Sequence, residues 1–289
     1  MRFSIVTVSY NPGEKLRGTL RSVAAQTFTD YEVIVKDGGS TDGSTDFLKG
    51  SEGEGLNRVR FYEEKDKGIY DAMNRAAGYA KGEYVLFLNC GDLLADERVL
   101  ERVNEVIERT ERDETGDCKA QGAPENAGEP GTRRYVFYGD TFSEQTKVTI
   151  ASAPEITGFT CYRNIPCHQS CFYSMELCRE KPYDLSYKIR ADYDHFLWCF
   201  YRGNAGFVHM AFPVSSYEGG GYSESRENRQ RDAQEHRQIT GTYMKGTELF
   251  RYRAVMALTL APVRRKMAES KALSGLYHRL KSALYKRKD

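Results

Sequence analysis

The chain has 289 residues, 40% of them hydrophobic, and a formal net charge of +1. Its length suits one large α/β domain with an appendage, or two domains. The small net charge gives no general attraction for nucleic acid, and no uninterrupted apolar run approaches the length of a membrane-spanning helix. Seven cysteines without a C-x-x-C pair predict neither a disulfide framework nor a zinc ribbon. We therefore expect reduced thiols in a cytoplasmic protein without a signal peptide.

Strands and helices alternate along the first part of the chain. Apolar alternation predicts strands over residues 3–9, 31–35 and 59–62, and a helix ending near residue 26 follows the first strand. A short helix over residues 45–49 follows the second. Such alternation indicates a parallel sheet with helical crossovers. The polar residues that end these strands should then lie along one edge of the sheet.

Residues 63–92 combine a loop, a helix, a buried strand and an acidic turn. Helical spacing of apolar residues begins at Ile69, and Gly82 is expected to close the helix in a left-handed conformation. The apolar run 83–88 predicts a buried strand. It ends in a turn that contains Asn89 and Asp92. Because ligands of open α/β sheets bind beyond the carboxyl ends of strands, this turn is a candidate metal or phosphate site. A helix-capping role for Asp92 is the alternative.

The second half of the chain is less regular. A helix over about residues 100–107 precedes residues 111–133, which are rich in Gly, Glu, Pro and Asn and predict an exposed, mobile insertion. A later helix over 189–201 begins near Asp192 and Asp194, and a strand pair is expected around Phe207 and Val214. From residue 226 the pattern is helical.

Three segments, taken together, resemble family 2 glycosyltransferases. In chain order they read SIVTVSYN, QTFTDYEVIVKDGGSTDGS and EKDKGIYDAMNRAAGYAKGEYVLFLNCGD. Three later segments are similar to a bacterial branch that builds surface polysaccharides: FTCYRNIPCHQSCFY, YDLSYKIRADYDHFL and YEGGGYS. The resemblance covers roughly residues 1–225. It implies an α/β fold of GT-A type, a Rossmann-like, mostly parallel sheet flanked by helices. The helical pattern from residue 226 adds a C-terminal helical extension at 226–289. Residues 1–92 would form the nucleotide-binding half and 93–225 the acceptor half.

The resemblance also implies an activity. Enzymes of this family move a sugar, with inversion, from a nucleoside diphosphate to an acceptor. Here we expect a UDP-linked donor and a glycan or lipid-linked acceptor in the synthesis of a cell-surface polysaccharide. A divalent cation, Mn²⁺ or Mg²⁺, would stabilise the negative charge of the leaving diphosphate. A carboxylate on the opposite face would take the proton of the attacking hydroxyl.

The resemblance assigns roles to individual residues. Asp37 would bind the nucleoside base, with the Tyr10 ring stacked near it, although a plain turn role explains Asp37 as well. Asp92 would bind the metal. The family's usual Asp-x-Asp is absent, since Asn89 stands where a carboxylate is common, and Asn89 can offer only its carbonyl oxygen. The full set of donor-binding candidates is Tyr10, Asn11, Asp37, Asp66, Gly68 and Asn89.

On the acceptor side, Asp192 is expected to be the catalytic base, with Asp194 as the alternative. Both aspartates would also be explained by the positive end of a helix. His168 is expected near the acceptor, and a structural role for this histidine is the alternative.

The tail and two other functions complete the predictions. Residues 261–289 contain nine basic and two acidic residues, a local charge of +7, and an apolar stripe. This pattern suits peripheral contact with the inner face of the cell membrane, or packing on the body or a partner chain.

A sugar nucleotidyltransferase is the alternative enzyme, although the chain lacks a basic, glycine-rich loop after its first strand. A non-catalytic, membrane-associated protein that binds nucleotide sugars is the other alternative.

Overall fold

The computed structural model describes residues 1–49, 57–115, 134–219 and 228–259. The strands are β1 (Phe3–Ser9), β2 (Tyr31–Asp37), β3 (Val59–Glu63), β4 (Tyr84–Phe87), β5 (Leu93–Leu94), β6 (Tyr135–Ser143), β7 (Val148–Ile150), β8 (Cys171–Ser174) and β9 (Gly206–Tyr217). The α-helices are α1 (Lys15–Ala24), α2 (Ile69–Tyr79), α3 (Val99–Thr115), α4 (Gly158–Arg163), α5 (Met175–Glu180), α6 (Ala191–Tyr201), α7 (Asn228–Tyr243) and α8 (Gly246–Leu258).

The described strands form one mixed sheet in the order β3-β2-β1-β4-β8-β6-β9-β5, with β7 paired to β6. Strands β3, β2, β1 and β4 are parallel neighbours, as predicted from the alternation of strands and helices. Strand β8 runs antiparallel to both of its neighbours and joins this half to β6. All residues of β1 and β2 are buried because helices cover both faces of the sheet.

Each face of the sheet has its own apolar core. Helix α2 packs Ala72, Met73 and Ala76 into one core together with α6. The other core contains the inward-facing residues of α1 and α3, among them Leu16 and Val103. This arrangement leaves the carboxyl ends of β1, β2 and β4 at one edge.

Gly82 has a different role from the one predicted. Helix α2 ends at Tyr79, Ala80 is extended, and Gly82 does not adopt a positive φ. A Cβ atom at Gly82 would lie 2.6 Å from the backbone of Phe3 and of Ser4. The glycine is therefore needed for the close approach of two chain segments, and its N–H donates to Ser4 Oγ at 2.9 Å.

Two further sequence predictions are corrected in the second half. Helix α3 continues to Thr115, so residues 111–115 are helical, and Glu111 pairs with Arg2 at 3.0 Å. The rest of the predicted insertion, 116–133, lies outside the described residues. Phe207 and Val214 belong to one strand, β9, rather than to a strand pair. Pro213 has no N–H to donate, and the register shift beside it lets the strand continue.

The first two helices of the predicted extension belong to the core of the domain. Ile239 and Met244, from α7 and the loop after it, and Tyr252, from α8, are buried in the same cluster as α6. The tail predicted at 261–289 lies outside the described residues. Among the described helices, none has the length and apolarity to cross a bilayer.

Candidate active site

Two neighbouring cavities open at the edge where β1 and β4 end. The first, of about 510 Å³, is lined by Tyr10, Asp66 and Gly68. The second, of about 460 Å³, is lined by Asn89, Asp92, His168 and Asp192 among others. Both cavities share Ile69, Tyr70 and Lys188. The sheet thus brings seven of the ten predicted site residues to two adjoining cavities.

The first cavity has an exposed aromatic ring and an oriented carboxylate. Tyr10 is 69% exposed at the end of β1. Asp66 is held by an ion pair with the fully buried Lys36, whose Nζ also donates to Glu64 O at 2.6 Å. Gly68 N donates to Asp66 Oδ1 at 3.0 Å. These contacts fix the Asp66 carboxylate in the same cavity as the exposed Tyr10 ring, which can stack on a flat ligand.

Asp37 and Asn11 line neither cavity. The buried Asp37 carboxylate accepts four hydrogen bonds, from the hydroxyls of Ser9 and Ser40 and from the N–H groups of Gly39 and Ser40. Asn11 Oδ1 accepts from Thr41 N at 2.8 Å. Both residues therefore shape the loop after β2. Ligand contact by either one stays a prediction.

The turn after β4 offers two oxygen ligands to a hard cation. Burial raises the pKa of Asp92 to about 6, against an opposing effect of His168. Asn89 Nδ2 contacts His168 Nε2 at 2.9 Å, which leaves the buried Asn89 Oδ1 without a hydrogen-bond partner. A carboxylate and an orphaned amide oxygen in one cavity fit part of a Mn²⁺ or Mg²⁺ site. Within the described ranges, no cluster of three or more His, Cys, Asp or Glu could hold a metal.

Asp192 lies at the centre of a hydrogen-bonded chain. Its Oδ2 is 3.3 Å from His168 Nδ1, and its Oδ1 accepts from the Tyr70 hydroxyl at 2.9 Å. Because the Asn89 amide donates to Nε2 of His168, the ring hydrogen sits on Nδ1 and points to Asp192. The chain Asn89–His168–Asp192 therefore joins the turn after β4 to the first turn of α6.

The electrostatics keep Asp192 ionised. Burial alone would raise the pKa of Asp192, but hydrogen bonds from His168 and Tyr70 hold it below its ordinary value. Burial by itself would lower the pKa of His168, but the hydrogen bond to Asp192 and the negative charges of Asp192 and Asp92 together raise it above the ordinary value. Burial and the charge of Asp192 raise the pKa of Tyr70 well above its ordinary value, so its hydroxyl remains a donor.

Asp194 has structural partners. Its buried carboxylate accepts from Lys181 Nζ at 2.9 Å and from the Tyr243 hydroxyl at 3.0 Å, and it lines neither cavity. It ties α6 to the chain after α5 and to the end of α7. Of the two candidate bases, only Asp192 faces the cavity that contains Asp92.

The structure adds site residues that the sequence did not indicate. Tyr70 lies within the recognised segment at 63–92, and its position as the second residue of α2 could have suggested a role beside Gly68. Asp232 and His236 reach the second cavity from α7, beyond the segments that resemble a family. No spacing in the sequence connects these two residues with Asp192.

Comparisons with known proteins agree on one family. The family described as "Glycosyl transferase family 2" matches residues 4–165. A "PGL/p-HBAD biosynthesis glycosyltransferase" of Mycobacterium bovis (strain BCG / Pasteur 1173P2) is 32% identical over 225 residues, which cover 77% of this chain and 79% of the relative.

Two solved structures share the fold of this chain. S. aureus TarS 1–349 in complex with UDP-GlcNAc has a TM-score of 0.56 at 18% identity and matches 80% of this chain. The match spans 64% of that TarS chain, just under two thirds of its length. The mannosyltransferase PcManGT from Pyrobaculum calidifontis, in complex with GDP-Man and Mn²⁺, has a TM-score of 0.56 at 14% identity, covering 98% of this chain and 86% of its own. These likenesses confirm the predicted α/β fold of GT-A type.

Proposed function

The chain belongs to glycosyl transferase family 2 and is a glycosyltransferase, and we propose that it transfers a sugar, with inversion, from a nucleoside diphosphate to a hydroxyl of a glycan or lipid-linked acceptor. The proposed acceptor belongs to the synthesis of a cell-surface glycan, and the similarity to a PGL/p-HBAD biosynthesis glycosyltransferase supports this part of the proposal. The single observation that supports the proposal is the hydrogen-bonded chain from Asn89 through His168 to Asp192, because it joins the Asp192 carboxylate to the turn that contains Asp92, in one cavity.

In the proposed mechanism, different residues of this chain act on the acceptor side and on the diphosphate side of the sugar carbon. Asp192 accepts the proton of the acceptor hydroxyl as that oxygen attacks the sugar carbon. His168 and Tyr70 orient the carboxylate and stabilise its charged form until the proton arrives. On the other side, the bond to the diphosphate breaks near Asp92. Attack and departure on opposite faces of the sugar carbon invert its configuration.

The first cavity is proposed to bind the nucleoside. Its exposed Tyr10 ring suits stacking on a base. The oriented Asp66 carboxylate can accept hydrogen bonds from a ribose hydroxyl or from an N–H group of the base. TarS was solved with UDP-GlcNAc and PcManGT with GDP-Man. Both facts support a nucleotide sugar, and we propose a UDP-linked one. The sugar itself would cross from this cavity to the second one beside Tyr70.

A divalent cation is proposed as cofactor. Asp92 and Asn89 Oδ1 would hold it, and the donor diphosphate would complete its coordination. When bound, the cation neutralises the charge that develops on the leaving diphosphate. With a single protein carboxylate, we expect weak metal binding before the donor arrives.

The experiment is a panel of nucleotide sugars. UDP-GlcNAc, UDP-glucose, UDP-galactose and GDP-mannose are tested for slow hydrolysis and for thermal stabilisation of the protein, each with and without Mn²⁺. The proposal expects one of them to stabilise the fold and to release its nucleoside diphosphate. Stabilisation without any turnover would support a non-catalytic binder instead. Release of pyrophosphate from a nucleoside triphosphate and a sugar phosphate would identify a nucleotidyltransferase.

A further inference from the structure

The loop before α6 is held by a residue from a distant part of the chain. Glu235, on α7, is 6% exposed. Its carboxylate accepts from three successive backbone N–H groups: Oε1 from Lys188 at 2.9 Å, and Oε2 from Ile189 at 3.0 Å and from Arg190 at 2.9 Å. Burying a carboxylate is costly unless hydrogen bonds satisfy it, and charge-assisted bonds to N–H groups do so here.

This loop leads directly into the helix that carries Asp192. Arg190 is the N-cap of α6, and its side chain makes no capping hydrogen bond. Asp192 follows two residues later. The direction of the first turn of α6 therefore depends on the backbone of residues 188–190, which Glu235 holds.

The same loop is held from the opposite side by Tyr70. The Tyr70 hydroxyl contacts Ile189 O at 2.6 Å and Asp192 Oδ1 at 2.9 Å. Glu235 thus binds the N–H side of Ile189 while Tyr70 binds its carbonyl side. A second contact from α7 reinforces the clamp, since Asp232 pairs with the Arg190 guanidinium at 2.7 Å.

From this geometry we infer that Glu235 is a positioning residue for Asp192, and that α7 is needed to place the base as well as to complete the core. The inference rests on the proposed role of Asp192. Glu235 contacts no reacting atom: it lines neither cavity and acts only through the loop before α6. Its effect should appear mainly in the rate of the chemical step and much less in donor binding, because Lys188, Ile189 and Arg190 all line the second cavity and only Lys188 also lines the first.

The test is a double-mutant cycle that combines substitutions at Glu235 and Asp192. The measured quantity is the rate at which the nucleoside diphosphate is released, and the substrate is the nucleotide sugar that proves active in the panel described above. Glu235→Gln keeps the size of the side chain but puts an N–H₂ group against backbone donors. We expect kcat to fall about 10- to 100-fold, as displaced catalytic groups typically cause, with KM for the donor changed less than about threefold. In an Asp192→Asn background the same substitution should change the rate less than about twofold, since the two residues act as one unit. Glu235→Asp, which keeps the charge, should recover part of the rate.

A matched control separates positioning from folding. Glu32 is also a buried carboxylate that accepts a backbone N–H, from Lys81 at 2.6 Å, but it lies on β2 at the opposite edge of the sheet. Glu32→Gln should lower the melting temperature without lowering kcat of the folded enzyme. If Glu235→Gln is too unstable to purify, Glu235→Asp serves as the second variant, because its shorter side chain keeps the charge but withdraws the carboxylate from the three N–H groups. We expect a kcat loss for it as well, smaller than about 10-fold.

The outcomes are distinguishable. Normal kcat in Glu235→Gln, or in Glu235→Asp if only that variant folds, overturns the inference while the proposed function stands. A loss of equal size in the Asp192→Asn background also overturns it, because the effect would then not pass through Asp192. Full activity of Asp192→Asn itself contradicts the proposed base and, with it, the inference. A non-additive loss confined to kcat supports both.

Discussion

At the scale of single residues, the site depends on how a few side chains share their hydrogen-bonding groups. Asn89 has one amide: its Nδ2 contacts His168, and its buried Oδ1 has no hydrogen-bond partner, so this oxygen could bind the proposed cation. His168 has two ring nitrogens: Nε2 contacts Asn89, and Nδ1 faces Asp192. A carboxylate at position 89 would ligate more strongly but could not donate to His168. In the proposed mechanism, asparagine at position 89 thus couples the turn after β4 to Asp192 through His168.

The first prediction concerns the metal. Chelation with EDTA should abolish release of the nucleoside diphosphate, and Mn²⁺ or Mg²⁺ should restore it. Asp92→Ala should raise the Mn²⁺ concentration for half-maximal rate by more than about tenfold, because it removes the single carboxylate of the turn. Affinity for Mn²⁺ should also rise with pH through about 6, where Asp92 loses its proton. Full activity in EDTA would remove the cation from the mechanism.

The second prediction concerns His168. In the wild type its hydrogen bond helps to hold the pKa of Asp192 below the ordinary value against the opposing effect of burial. His168→Asn weakens that support, so the pKa of Asp192 rises. Because the base works only when deprotonated, the acidic limb of the kcat–pH profile should move to higher pH. Tyr70→Phe, which removes the other hydrogen bond, should move it in the same direction. An unchanged limb in both variants would mean that Asp192 does not control the rate.

At the scale of elements, local patterns predicted most of the first half of the fold. Short apolar runs predicted strands β1, β2 and β3, and the helical spacing of apolar residues predicted α2 and α3. The structure confirms all five elements. The errors arose where distant segments meet. Gly82 looked like a helix end because its close contact with Phe3 and Ser4 cannot be seen in the sequence. The clamp of Glu235 on residues 188–190 spans about 45 positions and leaves no local signal.

The third prediction concerns α6 and pH. His195, on this helix, is buried, and its Nδ1 donates to Lys181 O at 2.7 Å. Burial lowers its pKa to about 4, so the ring is neutral in the folded protein. The unfolded chain binds a proton below about pH 6.5 and the folded chain does not, so stability falls as the pH drops from about 6.5 to 4. The loss attributable to His195 is about 3 kcal/mol over that range.

Urea unfolding at pH 7 and pH 4.5 measures this effect. His195→Gln should be less stable than the wild type at pH 7, because it fills the site poorly, but should lose less stability on acidification. The comparison cancels the titration of carboxylates common to both proteins. Equal acid losses in the two proteins would show that His195 does not carry the pH dependence.

At the scale of the whole molecule, the domain extends beyond the segments that resemble the family. The helices α7 and α8 contribute Ile239 and Tyr252 to the core and Asp232 and His236 to the second cavity. Two other apolar side chains of α8 are exposed: Phe250 by 76% and Leu258 by 83%. The resemblance to the family covered residues 1–225. The contributions of α7 and α8 to the core and of α7 to the second cavity are evident only from three-dimensional contacts.

The fourth prediction concerns the tail at 261–289. Its charge of +7 and apolar stripe suit an anionic bilayer, where each basic residue contributes about 1 kcal/mol. Deletion from Ala261 should release the protein from vesicles that contain phosphatidylglycerol while leaving donor hydrolysis intact, because α7 and α8 remain. High salt should weaken binding of the full chain. A full chain that ignores such vesicles at low salt would favour a tail packed on protein.

The measurement that tests the central claim most directly compares Asp192→Asn with Asp194→Asn under single-turnover conditions, with donor binding titrated in parallel. Asp192→Asn should slow release of the nucleoside diphosphate by about 10²–10⁴-fold, the usual cost of losing a general base, and leave donor affinity within a few-fold. Asp194→Asn should lower the melting temperature, because the amide offers Lys181 and Tyr243 one uncharged acceptor in place of two carboxylate oxygens, and it should retain the rate of the folded enzyme. Near-normal turnover in Asp192→Asn, with a large loss in Asp194→Asn, would contradict the account.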